Sequence, residues 1–159
     1  MLCQFTVKNF KSIRDEVTFD MQAAAISEHE DRIIIDKDEE KYLPVSAIYG
    51  PNGGGKSNVL AALHTLVAKV LRPLFATEDS EEKVLLQKKI IVEPFVFSES
   101  KDEPTEFELF FRTAVSEYRY ILHVKRELVL YESLDRVKLE TGRKSALFTR
   151  DENGIVLKG

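Results

Sequence analysis

Hydrophobic and polar residues alternate from the start of the chain: Phe5, Val7 and Phe10 sit beside polar partners, and Val17, Phe19 and Met21 recur at every second position after Arg14-Asp15-Glu16. A period of two marks a strand with one covered face, so residues 2–21 are expected to form two antiparallel strands joined by a turn. Charge dominates from Ser27 to Lys41 around Ile33-Ile34-Ile35, read as a short strand or an irregular excursion. Val45-Ser46-Ala47-Ile48-Tyr49 is a short, mostly β-favouring run. From Asn58 to Leu71 the period lengthens. Val59, Leu63, Leu66 and Val70 recur at steps of four and three, joined by Leu60, Val67 and Leu71, which predicts a helix whose apolar stripe is core. Arg72-Pro73 is expected to stop it, because proline disfavours helical geometry in the residue before it.

Asp79 and Ser80 precede Glu81-Glu82 and then Val84, Leu85 and Leu86, which predicts a capped second helix ending near Lys88-Lys89, or a loop. From Ile90 the period returns to two, at Phe95 and Phe97, at Phe107, Leu109 and Phe111, and at Tyr118, Tyr120, Leu122 and Val124. These segments are expected to be strands of an antiparallel sheet. Asn153-Gly154 is a hairpin signal separating Leu147-Phe148-Thr149 from Ile155-Val156-Leu157, since both residues tolerate positive φ. There is no internal repeat or low-complexity tract.

Composition narrows the class. A chain of 159 residues, 43% hydrophobic and 31% charged, suits one globular domain. A formal charge of −4 argues against a protein whose whole surface coats nucleic acid, so any such role must be local. The single cysteine, Cys3, cannot form an intramolecular disulfide, and His29, His64 and His123 lack zinc-like spacing, which fits a reducing, cytoplasmic setting. The strand-like amino terminus and the interruption of residues 59–71 by His64 and Lys69 give no expectation of an export signal or a membrane span.

The sharpest chemical signal is Gly50-Pro51-Asn52-Gly53-Gly54-Gly55-Lys56-Ser57-Asn58, which satisfies the phosphate-binding loop pattern without a mismatch. Gly50, Gly53, Gly54 and Gly55 let backbone N–H groups turn inward around a phosphate. Lys56 supplies a fixed positive charge as the catalytic cation, and the Ser57 hydroxyl can ligate Mg2+. With a β-favouring run before it and a helix after it, the segment is expected to bind a nucleoside triphosphate. Small kinases and GTPases usually place this loop after their first strand and continue in βα alternation, whereas about fifty residues precede it here. An Asn-Lys-x-Asp guanine reader does not occur, which lowers the GTPase reading.

Val7-Lys8-Asn9-Phe10-Lys11-Ser12 followed by the loop at 49–58 resembles the amino-terminal lobe of ABC-type ATPases of the SMC, DNA-repair and overcoming-lysogenization-defect groups. More closely it resembles bacterial AAA15-type ATPases, often found in phage-defence systems. The segments 94–97, 103–111, 118–120, 132–134 and 147–150 are similar to that group's β-rich insertion, so the likeness spans nearly the whole chain. The resemblance implies an α/β P-loop fold of the ABC-ATPase type, with a mixed core sheet and an antiparallel β layer. It implies one nucleotide-binding lobe over 1–159, with strands, loop and helix in 1–72, a variable segment in 73–93 and an antiparallel region in 94–159. It places Lys11 and Ser12 beside the nucleotide phosphates, with Asn52 facing the terminal one; read from the residues alone, Lys11 is a surface lysine after a strand. The implied cofactors are ATP and Mg2+, and the implied partners are a second protomer in an ATP-dependent homodimer and a nuclease, DNA or other effector.

Hydrolysis also needs a second magnesium ligand and a group that positions water. Two apolar runs end in an acid, Ile33-Ile34-Ile35-Asp36 and Leu128-Val129-Leu130-Tyr131-Glu132, and both are read as solvent-facing acids at strand ends. In the family these functions, with the signature motif, lie in a carboxy-terminal lobe, so a hydrolytically incomplete fragment is expected. Alternatives are a non-hydrolytic binding module or a small-molecule kinase. Gln87 could serve as a magnesium-contacting glutamine but is read as a solvated side chain. Lys88-Lys89, Lys125-Arg126 and Arg143-Lys144 are basic pairs read as solvated edges.

Overall fold

A computed structural model describes residues 1–25, 29–36, 39–75, 91–97 and 102–158. The expected opening pair forms as β1 (Leu2–Lys8) and β2 (Val17–Asp20), antiparallel, with Phe5 opposite Phe19 and Val7 opposite Val17. Ile34–Ile35 is a short strand, β3, paired with β4 at Lys41–Tyr42, which the sequence pattern had not revealed. The helix α1 spans Lys56–Phe75. Five strands follow: β5 (Thr105–Arg112), β6 (Ser116–Lys125), β7 (Leu128–Lys138), β8 (Lys144–Asp151) and β9 (Gly154–Leu157). They form one seven-stranded sheet in the order β2-β1-β5-β6-β7-β8-β9, every pairing antiparallel.

The period-two pattern sets which face is covered. Phe5 and Val7 of β1, Phe107 of β5, and Tyr120, Leu122 and Val124 of β6 all point to one side, where they meet Ala62 and Leu66 of α1 with Phe10, Ile13 and Val92. Phe5 and Phe10 lie 6.4 and 6.0 Å from Phe107 between ring centroids, the second edge-on. Each ring so buried contributes about 1.5–3 kcal/mol by leaving water. The opposite face carries charge, including the Arg119–Glu108 and Lys8–Glu106 pairs.

Five expectations change. Residues 45–49 form no strand: Val45 is 77% and Tyr49 89% exposed. A β-favouring run becomes a strand only when a neighbour accepts its N–H and C=O groups, and among the described residues nothing pairs with it. The expected mixed sheet is for the same reason wholly antiparallel over the described residues. Residues 91–97 are likewise irregular, although Phe95 and Phe97 keep the strand spacing. The helix also runs past Pro73 to Phe75; so near the end of the helix, the missing N–H costs the ladder a single bond. Finally, Leu60, Val67, Val70 and Leu71 are exposed, Leu60 by 58%, so only part of the apolar stripe is core. The helix expected near 79–89, and Gln87 and Lys88-Lys89, lie outside the described residues.

The two acids taken as solvent-facing are instead engaged. Asp36 pairs with Arg112, both side chains only 11% exposed, and Arg112 also bonds Glu117 at 2.7 Å while lying over the Tyr42 ring. Glu132 accepts from Tyr120 Oη at 2.6 Å and pairs with Arg150 at 3.1 Å. Inside a half-buried surface a carboxylate is held by the nearest cation or hydroxyl, not left to water.

Candidate functional site

Gly53 and Gly55 adopt φ of +80° and +81°, a region that side-chain-bearing residues rarely enter, and between them the chain turns sharply into α1. The Gly54 N–H closes that turn on the Pro51 carbonyl at 3.1 Å, and a Cβ on Gly54 would sit 3.1 Å from the same oxygen. The loop therefore ends directly at a helix amino terminus, where unsatisfied N–H groups and the helix dipole favour an anion. Asn58 and Val59 N–H groups return to the Gly55 carbonyl, while Lys56 and Ser57 N–H groups meet no backbone carbonyl among the described residues. Lys56 folds back over the loop, its ammonium donating to the Gly50 and Pro51 carbonyls at 2.8 and 2.7 Å. Ser57 is exposed at the first turn of α1, and Asn52 is exposed at the loop tip.

A second turn meets this loop. Phe10 and Ile13 exchange backbone hydrogen bonds at 2.8 Å, which puts Lys11 and Ser12 at the apex of a tight hairpin, with Lys11 at φ 50°. Asn9, fully buried at φ 54°, fixes the base of that turn. Its amide donates to the Glu103 and Pro104 carbonyls, its side-chain oxygen accepts from Phe95 N–H, and its carbonyl accepts from the Thr105 hydroxyl at 2.6 Å. Ser12 thereby reaches the phosphate loop: its hydroxyl accepts from the Asn58 amide at 2.6 Å, and its oxygen lies 3.5 Å from where a Cβ on Gly55 would be.

The two turns enclose a cleft of about 790 Å³, lined by Ser12, Asp15, Tyr49 and Phe95 in addition to Gly50, Pro51 and the run from Gly53 to Lys56; Asn52 and Ser57 do not line it. Such a volume is within the range of small-molecule sites. Arg14 donates to both oxygens of Asp15, at 2.8 to 3.1 Å, and this pairing lowers the Asp15 carboxyl from its usual pKa. Of the residues expected at the site, Gly50, Gly53, Gly54, Gly55, Lys56, Ser12 and Asn58 come together here. Lys11 does not line this cleft; its side chain lies over Phe10, with Nζ 5.6 Å from the ring centroid. Sequence reasoning missed Asn9 as the anchor of the turn and Arg14, Asp15, Val17 and Phe95 as walls. Asparagine tolerates the positive φ found at position 9, but the residue type alone does not announce the turn.

Neither Asp36 nor Glu132 reaches the cleft, and no group of three metal-ligating side chains occurs among the described residues. No helix among the described residues is long and apolar enough to cross a membrane. Residues 45–156 match a family model described as AAA domain, putative AbiEii toxin, Type IV TA system. No curated protein matches the chain.

Proposed function

The chain belongs to that AAA-domain family, of P-loop, nucleotide-binding ATPase type, and from this premise we propose that its loop cleft binds Mg·ATP. The observation that carries the reading is the joining of Gly53 and Gly55, both at positive φ, to the amino terminus of α1, with Lys56 above it and Ser12 and Asn58 at its side. Backbone N–H groups, the Lys56 ammonium and the Ser57 hydroxyl would hold the β- and γ-phosphates and the metal. Ser12 would complete the cradle from the opposite turn, and Asn52 would face the terminal phosphate. Bound Mg2+ would supply charge neutralisation at the triphosphate.

The finer class we propose is an ABC-type ATPase of the SMC and AAA15 kind, in which a further lobe and a second protomer complete hydrolysis. Asp15 is the one carboxylate lining the cleft among the described residues, and Arg14 already engages it. This supports binding without turnover by these 159 residues alone. A purely non-hydrolytic module is the second reading, on the same observation.

Equilibrium titration with a fluorescent ATP analogue tests the proposal. A charge-assisted hydrogen bond contributes about 1.5–3 kcal/mol, so Lys56→Ala is expected to weaken triphosphate binding by roughly one to two orders of magnitude. Unchanged affinity in a folded Lys56→Ala protein would remove the assignment.

A further inference from the structure

The hairpin that brings Ser12 to the phosphate loop turns Lys11 the other way, into a second cleft of about 790 Å³. One wall is the segment from Ile91 to Pro94 with Val96; the other is the β6–β7 hairpin from Lys125 to Leu128. Backbone bonds fix both walls: Lys11 N–H donates to the Glu93 carbonyl and Val92 N–H to the Arg126 carbonyl, each at 2.9 Å. The two clefts share a partition, with Ser12 and Phe95 on the triphosphate side and Lys11, Pro94 and Val96 on the other.

Three cations from two separate turns, Lys11, Lys125 and Arg126, converge on this concave surface. Among the described residues none of the three is in an ion pair. The cleft also holds Glu93 and Glu127, and Glu127 acts on Lys69 nearby, favouring its charged form against the burial that disfavours it. In a chain of formal charge −4 this local excess of positive charge runs against the whole. The apolar part of this lining is open to water: Ile91 is 60%, Val96 61% and Leu128 65% exposed.

We propose that this cleft binds a short segment of single-stranded nucleic acid, with phosphates on Lys11, Lys125 and Arg126 and bases against Ile91, Val96 and Leu128. Phosphate–cation pairing with a base on an apolar or aromatic surface is how unpaired strands are held without sequence reading. A duplex keeps its bases stacked inside, where the apolar lining cannot reach them. A free polyphosphate would leave that lining unused.

The test is fluorescence anisotropy with labelled ten-nucleotide oligo-dT and oligo-U, the corresponding duplexes, and tripolyphosphate as competitor. Three phosphate contacts give a log–log salt slope of about −2, so single-strand affinity should fall about 20-fold between roughly 50 and 200 mM salt. Lys125→Glu combined with Arg126→Gly is expected to weaken it at least about 10-fold by removing two of the three contacts. Glycine suits the φ of 56° at Arg126, so the fold should be kept, as a thermal melt checks. Arg143→Glu with Lys144→Glu, outside the cleft, should leave affinity unchanged. Lys56→Ala should keep oligonucleotide binding while losing ATP, so failure of the two assignments can be told apart. Equal or tighter duplex binding, no oligonucleotide binding, or full affinity in the folded Lys125→Glu/Arg126→Gly protein would overturn the proposal. Binding of tripolyphosphate alone would overturn it in favour of a small-anion site.

Discussion

Arg112 clamps the 30–42 excursion to the sheet through Asp36, Glu117 and the Tyr42 ring. Burial disfavours its charge, yet the hydrogen bonds it donates to Glu117 and Asp36 outweigh that and hold the guanidinium above its usual pKa. Arg112→Met would strand two carboxylates in a half-buried place, and urea unfolding is expected to show a loss of about 3 kcal/mol. Tyr120 adds a pH dependence. Burial, and then its bond to Glu132, raises its phenol pKa from 10.0, so the folded state keeps that proton to higher pH than the unfolded chain. The resulting stability is complete below about pH 10 and is lost as pH rises beyond it. Tyr120→Phe should therefore flatten the alkaline fall in the urea midpoint, and an unchanged slope would count against this origin. At this scale the glycine turn leading into α1 was legible, because its signal is local in sequence. Asn9 and the Asp36–Arg112 pair were not, since partners tens of residues apart leave no spacing to read.

The helix shows why period alone is an incomplete guide. Its 3.6-residue rhythm identified α1, but Leu66 and Ala62 are buried while Leu60 and Val67 on the other flank face water. Leu66→Ala is expected to cost about 2–5 kcal/mol through lost burial and a cavity. Leu60→Glu should change stability by no more than about 0.5 kcal/mol, and a larger loss in a urea titration would show that this flank is covered in solution. The strands β5 and β6 were legible from alternation because they carry one covered face. The β-favouring run at 45–49 looked the same, yet strand formation also requires a hydrogen-bonding neighbour, and alternation does not say whether one is there. The turn at Asn153-Gly154 joins β8 to β9 as expected, with Asp151 opposite Gly154.

At the scale of the molecule, the sheet and the loop at 50–58 meet through the packing of α1 and at the hairpin apex of Lys11-Ser12. That apex faces both clefts, Ser12 lining one and Lys11 the other. The sheet also has an uneven chain path. From β5 to β9 each strand pairs with the next, joined by short reversals, whereas β1 must find β5 across a sequence separation such as the 98 residues between Lys8 and Glu106. Closing so large a loop costs entropy before any contact rewards it, whereas neighbouring hairpins close cheaply. During refolding, amides of β6 and β7 should accordingly gain protection from pulsed deuterium labelling before those of β1. The amino-terminal strand, and with it the turn that carries Ser12 to Asn58, would be the last piece to lock into place.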